Sequence, residues 1–547
     1  MSGKVVRKGQ RVYLRTNEND KRVEAIGNKD AKIAIVGEAP GRDEVRKGKP
    51  FVGKSGRLLN QLLKAVGIDR YDCYITNVVK VRPPKNDIKY FYNGNSPSYE
   101  LEQYREEVKD ELREVKPNVI IALGQEALRT LVGDDKARIS DWRGSIIDTE
   151  FGKVIPTYHP AYVLRLWKYK SIVAFDLNRA EEESHTRECN LPERNIDINP
   201  SKNDVKKLVE RAKEQEVISF DIETKVANGK WFIDHVGIGL TPDYAMSIPF
   251  WKNGQHYWSL EDEIDVWQMI GEILGDPNIK KVGQNGQYDI TFLEDIGIPI
   301  VNYYFDTMVA CKLVYPEFSK GLAFIASIYT REPYYKDTSD EERSIYNGKD
   351  CCVTLEAVDG LINDLDELEM KEFYFDHIHP LIRIYIDVQK MGVNIDDEKR
   401  DNVSDVVEDD IEDMRARLKE LTGKEINVYS VKDMRSYIYG DLGLPEKYNP
   451  NGNLDTCKTV LKDFYRNTGR EEFNIMLKLR ASRSQSSTYL KSETGTDLED
   501  DGRMRTMYDV SGTETGRLSS KKTVYGRGMN LQNVQHGVYR EMFIPDE

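Results

Sequence analysis

Five residues near the middle of the chain are of types and spacings that could gather round a divalent metal ion. Asp221 and Glu223 stand at i and i+2 in EVISFDIET (216–224), a run apolar enough for a buried strand, so both carboxylates point to one face. Two carboxylates at the end of an apolar strand are costly unless a positive charge meets them. A divalent metal ion is the natural partner, because hard cations take oxygen ligands. Further along come Asn285-Gly286-Gln287-Tyr288-Asp289 and Tyr346-Asn347-Gly348-Lys349-Asp350. Tyr346 and Asp350, four residues apart, share one face if that stretch is a helix.

FDIET, NGQYD and YNGKD resemble, in order and spacing, the three motifs of the DEDD 3′–5′ exonucleases with Tyr in the third motif, as in the proofreading domain of family A DNA polymerases. The resemblance implies an RNase H-like fold and phosphodiester hydrolysis with two divalent ions, Mg2+ or Mn2+. Asp221, Glu223 and Asp350 would hold the ion that activates water, with Asp221 bridging to the second. Asp289 would bind the second ion directly or through water, and Tyr346 would orient the attacking water. Two metals about 3.5–4 Å apart stabilise both the entering and the leaving oxygen, which suits in-line attack. Scattered surface acids are the plain alternative in a chain with 93 Asp and Glu, and five positions in motif order count against it.

Near the C-terminal end, SGTETGRLSSKKTVYGRGMNLQN (511–533) and then YREMFIPDE are similar to family A DNA polymerases just before their first catalytic palm motif. The resemblance implies that Arg517 contacts the primer strand and that Gln532 and Asn533 lie against the duplex minor groove. There, donors meet acceptors common to all base pairs, so geometry is checked rather than sequence. Lys521 and Lys522 would serve phosphates. The family's catalytic palm aspartates and fingers have no counterpart up to Glu547, so this chain is not expected to polymerise alone. Either a second polypeptide supplies them, which is the expectation here, or the chain is cut at this point. Residues 375–495, opening with IYIDVQKMGVNIDDEK (384–399), resemble the segment leading into the thumb.

In the N-terminal block GEAPGRDE (37–44), KPFVGKSGRLL (49–59), YITNVVKVRPP (74–84), IIALG (120–124) and TYHPAYVLR (157–165) resemble family 4 uracil-DNA glycosylases. By that resemblance Phe51 would stack on a flipped uracil, Asn77 would bond its edge, His159 would support charge on the leaving base, and Glu38 would position water. A base inside the duplex stack cannot be reached, hence the pocket. One departure stands out. The family's four-Cys iron–sulfur cluster has a ligand in the NVVKCRPP-type segment, where this chain has Val81, and no CxxC precedes it. No iron–sulfur cluster is expected. Two readings stay open for this block, uracil excision or a retained fold that grips DNA and docks the polymerase. Some bacteriophage replicative polymerases carry such a fusion, which makes a phage origin plausible.

These motifs require particular elements to carry them. AKIAIVGEAP (31–40), CYITNVVKVRPPK and NVIIALG (118–124) read as buried strands alternating with amphipathic segments, a mostly parallel sheet covered by helices. LPERNIDINPSKND (191–204) reads as a linker. EVISFDIET, HVGIGL and YAMSIPF read as a strand meander, with helices from about residue 260. The expected fold class is α/β multidomain: a glycosylase-like α/β/α sandwich over 1–190, an RNase H-like exonuclease domain over 191–370, and a mainly helical thumb with the start of a palm over 371–547. The 547 residues, 39% hydrophobic and 31% charged, exclude collagen-like, miniprotein and wholly disordered classes.

No apolar run approaches the roughly 18 residues of a membrane span. The six cysteines, Cys73, Cys189, Cys311, Cys351, Cys352 and Cys457, show no CxxC spacing, which predicts a reduced, cytoplasmic setting. Net charge is −14, yet residues 45–85 carry ten Lys and Arg against Asp69 and Asp72, and 516–540 carry five with no acid. Residues 401–413 read DNVSDVVEDDIED. Local basic segments in an acidic chain fit a protein that grips phosphates on particular faces. The expected partners are primer–template DNA, a single-stranded 3′ end and a second polypeptide, with no membrane. The leading expectation is the N-terminal part of a replicative family A polymerase with an active proofreading exonuclease. A uracil-excising, end-trimming repair protein and a non-catalytic DNA-binding subunit of a split polymerase are the alternatives.

Overall fold

The computed structural model describes residues 21–252, 254–335, 343–449, 452–490, 498–499, 501–534 and 537–546. They divide between two compact units, Met1–Tyr374 and Phe375–Glu547.

Two large sheets dominate the described residues of the first unit. One comprises β1 (Ile33–Gly37), β2 (Cys73–Asn77), β3 (Val119–Leu123), β4 (Ile147–Thr149) and β5 (Gly152–Thr157), in the order β2-β1-β3-β5-β4. All pairs are parallel except the β4 edge. β1 and β3 read IAIVG and VIIAL because both faces are covered, so no polar alternation is needed. Helix α1 (Lys54–Ala65) and helix α2 (Tyr99–Val115) take opposite faces. Ala34 and Val36 of β1 pack with Val108 and Leu112 of α2, while Ile35 packs with Leu58 and Leu62 of α1. α3 (Gln125–Val132) follows β3, and α4 (Lys170–Glu183) joins the α1 face through Val173 and Leu177. The carboxyl ends of β1, β2, β3 and β5 therefore share one edge, where doubly covered sheets form crevices.

The second sheet comprises β6 (Asn195–Asp197), β7 (Val217–Ala227), β8 (Lys230–Thr241), β9 (Tyr244–Pro249), β10 (Lys280–Gly283) and β11 (Tyr303–Asp306), in the order β11-β10-β7-β8-β9-β6. β7, β8 and β9 form the antiparallel meander, and β10 runs parallel to β7. Helices α5 (Lys202–Ala212), α6 (Leu260–Gly275), α7 (Gly286–Asp295), α8 (Thr307–Val314), α9 (Leu322–Tyr329) and α10 (Arg343–Glu367) complete it. α10 seats on the sheet because β8 presents glycine. A Cβ on Gly237 would stand 2.7 Å from Asn347 Oδ1, and one on Gly239 3.1 Å from Cys351 Cβ.

The stretch expected to be a linker, 191–204, instead contributes β6 as an edge strand beside β9 and the capping box of α5, built on Ser201 and Asp204. Ile196 of β6 packs on Ala245, Cys351 and Cys352, and Leu191 packs against the apolar core of the first sheet. The two sheets of this unit are tied by buried polar groups: Arg143 pairs with Asp176 of α4 and donates at 2.8 Å to Ser327 Oγ of α9.

The second unit is mainly helical. It comprises α11 (His379–Met391), β12 (Val393–Ile395), α12 (Asp397–Thr422), α13 (Lys458–Thr468) and α14 (Glu471–Tyr489), then β13 (Arg503–Met504), β14 (Met507–Asp509), β15 (Ser519–Lys521) and β16 (Phe543–Ile544). Leu418, Leu461, Phe464, Phe473 and Met476 pack α12, α13 and α14 together. The small sheet β13-β12-β16 packs under the start of α12 through Ile395, Val403, Val407 and Met504. Among the described residues no helix is long and apolar enough to cross a membrane.

Candidate functional site

The five residues singled out in the middle of the sequence meet at β7. Asp221 and Glu223 stand on that strand, α10 carries Tyr346 and Asp350 one turn apart, and α7 brings Asp289 in its first turn. Asp221 accepts from Asn347 Nδ2 at 2.9 Å, and the same amide reaches its carbonyl at 3.2 Å. Asp289 accepts the Ile222 N–H at 2.8 Å, between the two strand carboxylates. Asp350 accepts the Tyr335 hydroxyl at 2.5 Å. Glu223 pairs with Arg343 at 3.0 Å, and that guanidinium also donates to the Thr224 carbonyl at 2.8 Å. Asn347, Arg343 and Tyr335 thus belong to the site although the sequence reading gave them no role.

The electrostatics are those of crowded carboxylates. Loss of water, with Asp289, Asp350 and Glu223 nearby, pushes Asp221 well above the usual carboxylate range, against the Asn347 hydrogen bond. Burial pushes Asp289 up to about 8, the Ile222 N–H opposing it. Burial and the neighbouring Asp350, Asp221 and Glu223 also raise Tyr346, so its hydroxyl stays protonated. Among the described residues no three Asp, Glu, His or Cys side chains close on a common point tightly enough to grip an ion in this conformation. Each carboxylate is turned to a protein donor instead. The donor set nevertheless fits a hard divalent cation: it is all oxygen, and its mutual repulsion is what such an ion relieves.

A second constellation lies at the carboxyl edge of the first sheet. Asn77 ends β2, and its Oδ1 stands 2.4 Å from where a Cβ on Gly37 would be; the Phe51 ring stands 2.5 Å from the same point. Only glycine at 37 lets the two approach. Phe51 adopts φ +52, a left-handed conformation costly for an aromatic residue. It is held there by Arg70, which donates to the carbonyls of Phe51 at 2.9 Å and Pro50 at 2.8 Å. Glu44 accepts from the N–H groups of Val52 at 3.0 Å and Gly53 at 2.7 Å. His159 lies 5.8 Å from Phe51, ring to ring, and its Nδ1 accepts the Ala161 N–H at 3.1 Å. Glu38 follows Gly37, and Arg165 acts electrostatically on both Glu38 and His159.

All four expected pocket residues therefore gather at one edge; Glu44, Arg70 and Arg165 are additions. Just beyond His159, Leu164, Leu166 and Trp167 are exposed among Arg165, Lys168 and Lys170. Val81, at the expected position of a cluster thiolate, is buried in an apolar group with Val79, Phe91 and Tyr104 that includes no cysteine. That environment does not fit an iron–sulfur centre.

On the second unit, Arg517 is exposed in the turn between β14 and β15, Lys521 ends β15, and Lys522 follows it on the surface. Gln532 and Asn533 are exposed on a short 3-10 turn, tied to β15 where the Leu531 N–H donates to Ser520 Oγ at 3.0 Å. The five residues expected to meet DNA thus sit on adjoining elements.

Three family models match the chain in order: "Uracil DNA glycosylase superfamily" over residues 25–179, "3'-5' exonuclease" over 198–357 and "DNA polymerase family A" over 397–547. The chain is similar to a type-4 uracil-DNA glycosylase of Thermotoga maritima, 42% identical over 159 residues, which are 28% of this chain and 79% of that protein. It is similar to the DNA polymerase of Bacillus phage SP01, 23% identical over 611 aligned positions, 92% of this chain and 63% of that one. DNA polymerase I of Pseudomonas aeruginosa is 23% identical over 431 positions, 71% of this chain and 45% of that one. The chain therefore spans less than two thirds of the length of these polymerases. Among solved structures, the POL domain of Pol1 from M. smegmatis, in complex with DNA primer-template and dNTP, superposes with a TM-score of 0.50 at 19% identity, over 64% of this chain and 57% of that one, a likeness of fold.

Proposed function

Because the chain belongs through residues 25–179 to the type-4 uracil-DNA glycosylase family, and carries a 3′–5′ exonuclease domain and a family A DNA polymerase domain after it, we propose that it edits DNA 3′ ends during replication. The observation that carries this reading is the convergence of Asp221, Glu223, Asp289, Tyr346 and Asp350, from three separate elements, at β7. Asp221, Glu223, Asp289 and Asp350 would hold two divalent ions, Mg2+ or Mn2+. Such ions, when bound, supply activated water and neutralise charge on the phosphate. The chain's own residues set the frame: Asn347 fixes the rotation of Asp221, Arg343 fixes Glu223, and the neutral Tyr346 hydroxyl orients the attacking water by hydrogen bonding.

Arg517, Lys521, Lys522, Gln532 and Asn533 are proposed to grip primer–template. Nucleotide addition is proposed only of a whole polymerase, of whose length this chain spans less than two thirds.

One gel tests the proposal. A 5′-labelled primer on a template, with one uracil in the labelled strand, is incubated with the chain and Mg2+ and then treated with mild alkali. A ladder retreating from the 3′ end is expected, slowed at least about 100-fold in Asp221→Ala. Undiminished Mg2+-dependent trimming by that variant would overturn the metal site. A second reading, uracil excision, is favoured by the strained Phe51 held beside Asn77 and His159. It expects a single band at the uracil that Asn77→Ala erases. No such band would leave this module to DNA gripping or docking.

A further inference from the structure

From the last turn of α9 runs a short stretch, residues 328–335, held almost wholly by side chains from outside it. Arg179 of α4 donates to the carbonyls of Ile328 at 3.3 Å and Thr330 at 3.1 Å, groups that the end of α9 leaves open. Arg331 pairs with Glu183 of α4 and donates to the Asn190 carbonyl at 3.1 Å. Glu332 is buried between Arg194 at 2.7 Å and Lys349 of α10 at 2.8 Å. The Tyr334 ring packs on Trp142, centroids 5.1 Å apart. Behind these contacts Asp176 joins Arg143 to Thr157, whose hydroxyl donates to it at 2.6 Å. Apart from Arg194 and Lys349, every one of these anchors belongs to the N-terminal module.

Tyr335 belongs to the same stretch. Its hydroxyl donates to Asp350 Oδ1 at 2.5 Å, its ring lies 5.8 Å from that of Tyr346, and Lys349 Nζ stands 5.3 Å from its centroid. One side chain thus touches both α10 residues of the editing site. We infer that Tyr335 is a positioning residue of that site, fixing the Asp350 carboxylate and the Tyr346 ring, and that the N-terminal module holds Tyr335 in place. The inference rests on the reading of Asp350 as a metal ligand. A donor on one oxygen of a ligating carboxylate sets the direction in which the other oxygen is offered, and such partners govern metal affinity. The N-terminal module then serves editing whether or not it excises uracil.

The test uses the full chain, with Mn2+ affinity of the free protein read by EPR beside kcat and KM for trimming a single strand. Tyr335→Phe keeps the ring and removes only the hydroxyl. It should weaken Mn2+ binding and lower kcat, each about 10- to 100-fold, with KM for the strand unchanged. Trp142→Ala should give the same signature in smaller measure, and Trp142→Phe should restore it. The double variant Trp142→Ala/Tyr335→Phe should lose no more than Tyr335→Phe alone, since both act through one hydroxyl. Unchanged Mn2+ affinity and kcat in Tyr335→Phe would overturn the positioning role. Losses that multiply in the double variant, or a lowered melting temperature in Trp142→Ala with Mn2+ affinity intact, would overturn the hold by the N-terminal module. Asp221→Ala separates the two layers. If it still trims, the metal-site reading fails; if it is inactive while Tyr335→Phe matches the parent, only this inference fails.

Discussion

Glu38 and His159 titrate in opposite directions from one cause, the loss of water at the carboxyl edge of the first sheet. Desolvation lifts Glu38 to about 7, with Glu126 and Asp87 adding to it and Arg165 opposing. The same loss takes His159 down to about 4, helped by Arg165. At neutral pH His159 is therefore neutral, and because Nδ1 accepts a backbone N–H, the ring proton sits on Nε2 as a donor. For stability, folded Glu38 keeps its proton up to about 7, whereas the unfolded chain releases it near 4.5. Its contribution is fully present below about 4.5 and is lost as pH rises through about 7. Glu38→Gln cannot ionise, so it should be more stable than the parent at pH 8, by up to about 3 kcal/mol, and equal to it near pH 4. Calorimetry at the two pH values decides, and equal differences at both would remove ionisation as the cause. Residues of this kind were legible because motifs name them. Tyr335, Arg343 and Arg70 were not: each acts on a partner remote in sequence, Tyr335 on a carboxylate fifteen positions away, and no local pattern marks such a donor.

A helix that carries half of a site must be seated to within a fraction of an ångström, and for α10 the seat is made by what β8 lacks. A Cβ on Gly237 would fall 2.7 Å from both Asn347 Oδ1 and Cys351 Sγ. Asn347 is the residue that holds Asp221, so a methyl there shifts the helix and the carboxylate together. Gly237→Ala should cost about 1–3 kcal/mol, the usual range for overpacking, and lower the trimming rate at least about 10-fold. Adding Cys351→Ala should recover part of both by making room. Denaturant unfolding and the primer assay check this, and a Gly237→Ala chain matching the parent in both would mean that the seat yields. The strands themselves were legible as apolar runs, and Tyr346 and Asp350 as a helical pair. β6 was not, because only Ile196 and Ile198 stand among the polar residues between Pro192 and Pro200, and the groups Ile196 covers, Ala245, Cys351 and Cys352, come from β9 and α10 far along the chain.

With 79 Lys and Arg against 93 Asp and Glu, the proposed grip on DNA depends on which cations are left uncompensated, and ion pairs in the second unit narrow them. Arg527 pairs with Glu499 at 2.9 Å, Arg505 with Asp501 at 2.6 Å, and Lys521 stands 3.5 Å from Asp509. Arg540 spends its guanidinium on the Val534 carbonyl at 3.1 Å. Arg517 and Lys522 are exposed, and no ion pair among the described residues engages them. The acidic run 401–413 lies along α12, with Val403 and Val407 its buried residues. Its carboxylates would repel phosphates along that helix, which favours the segment that follows β14 as the proposed DNA contact. Each phosphate neutralised by a cation releases condensed counterions and contributes about −0.9 to the slope of log affinity against log salt. Arg517→Ala and Lys522→Ala should therefore each flatten that slope by about one for a primer–template followed by fluorescence anisotropy, and the pair by about two. Arg527→Ala should change it less, since Glu499 already answers that charge. If all three substitutions flatten the slope equally, DNA senses the basic segment as diffuse charge; if only the first two do, the ion pairs decide which residues meet phosphate.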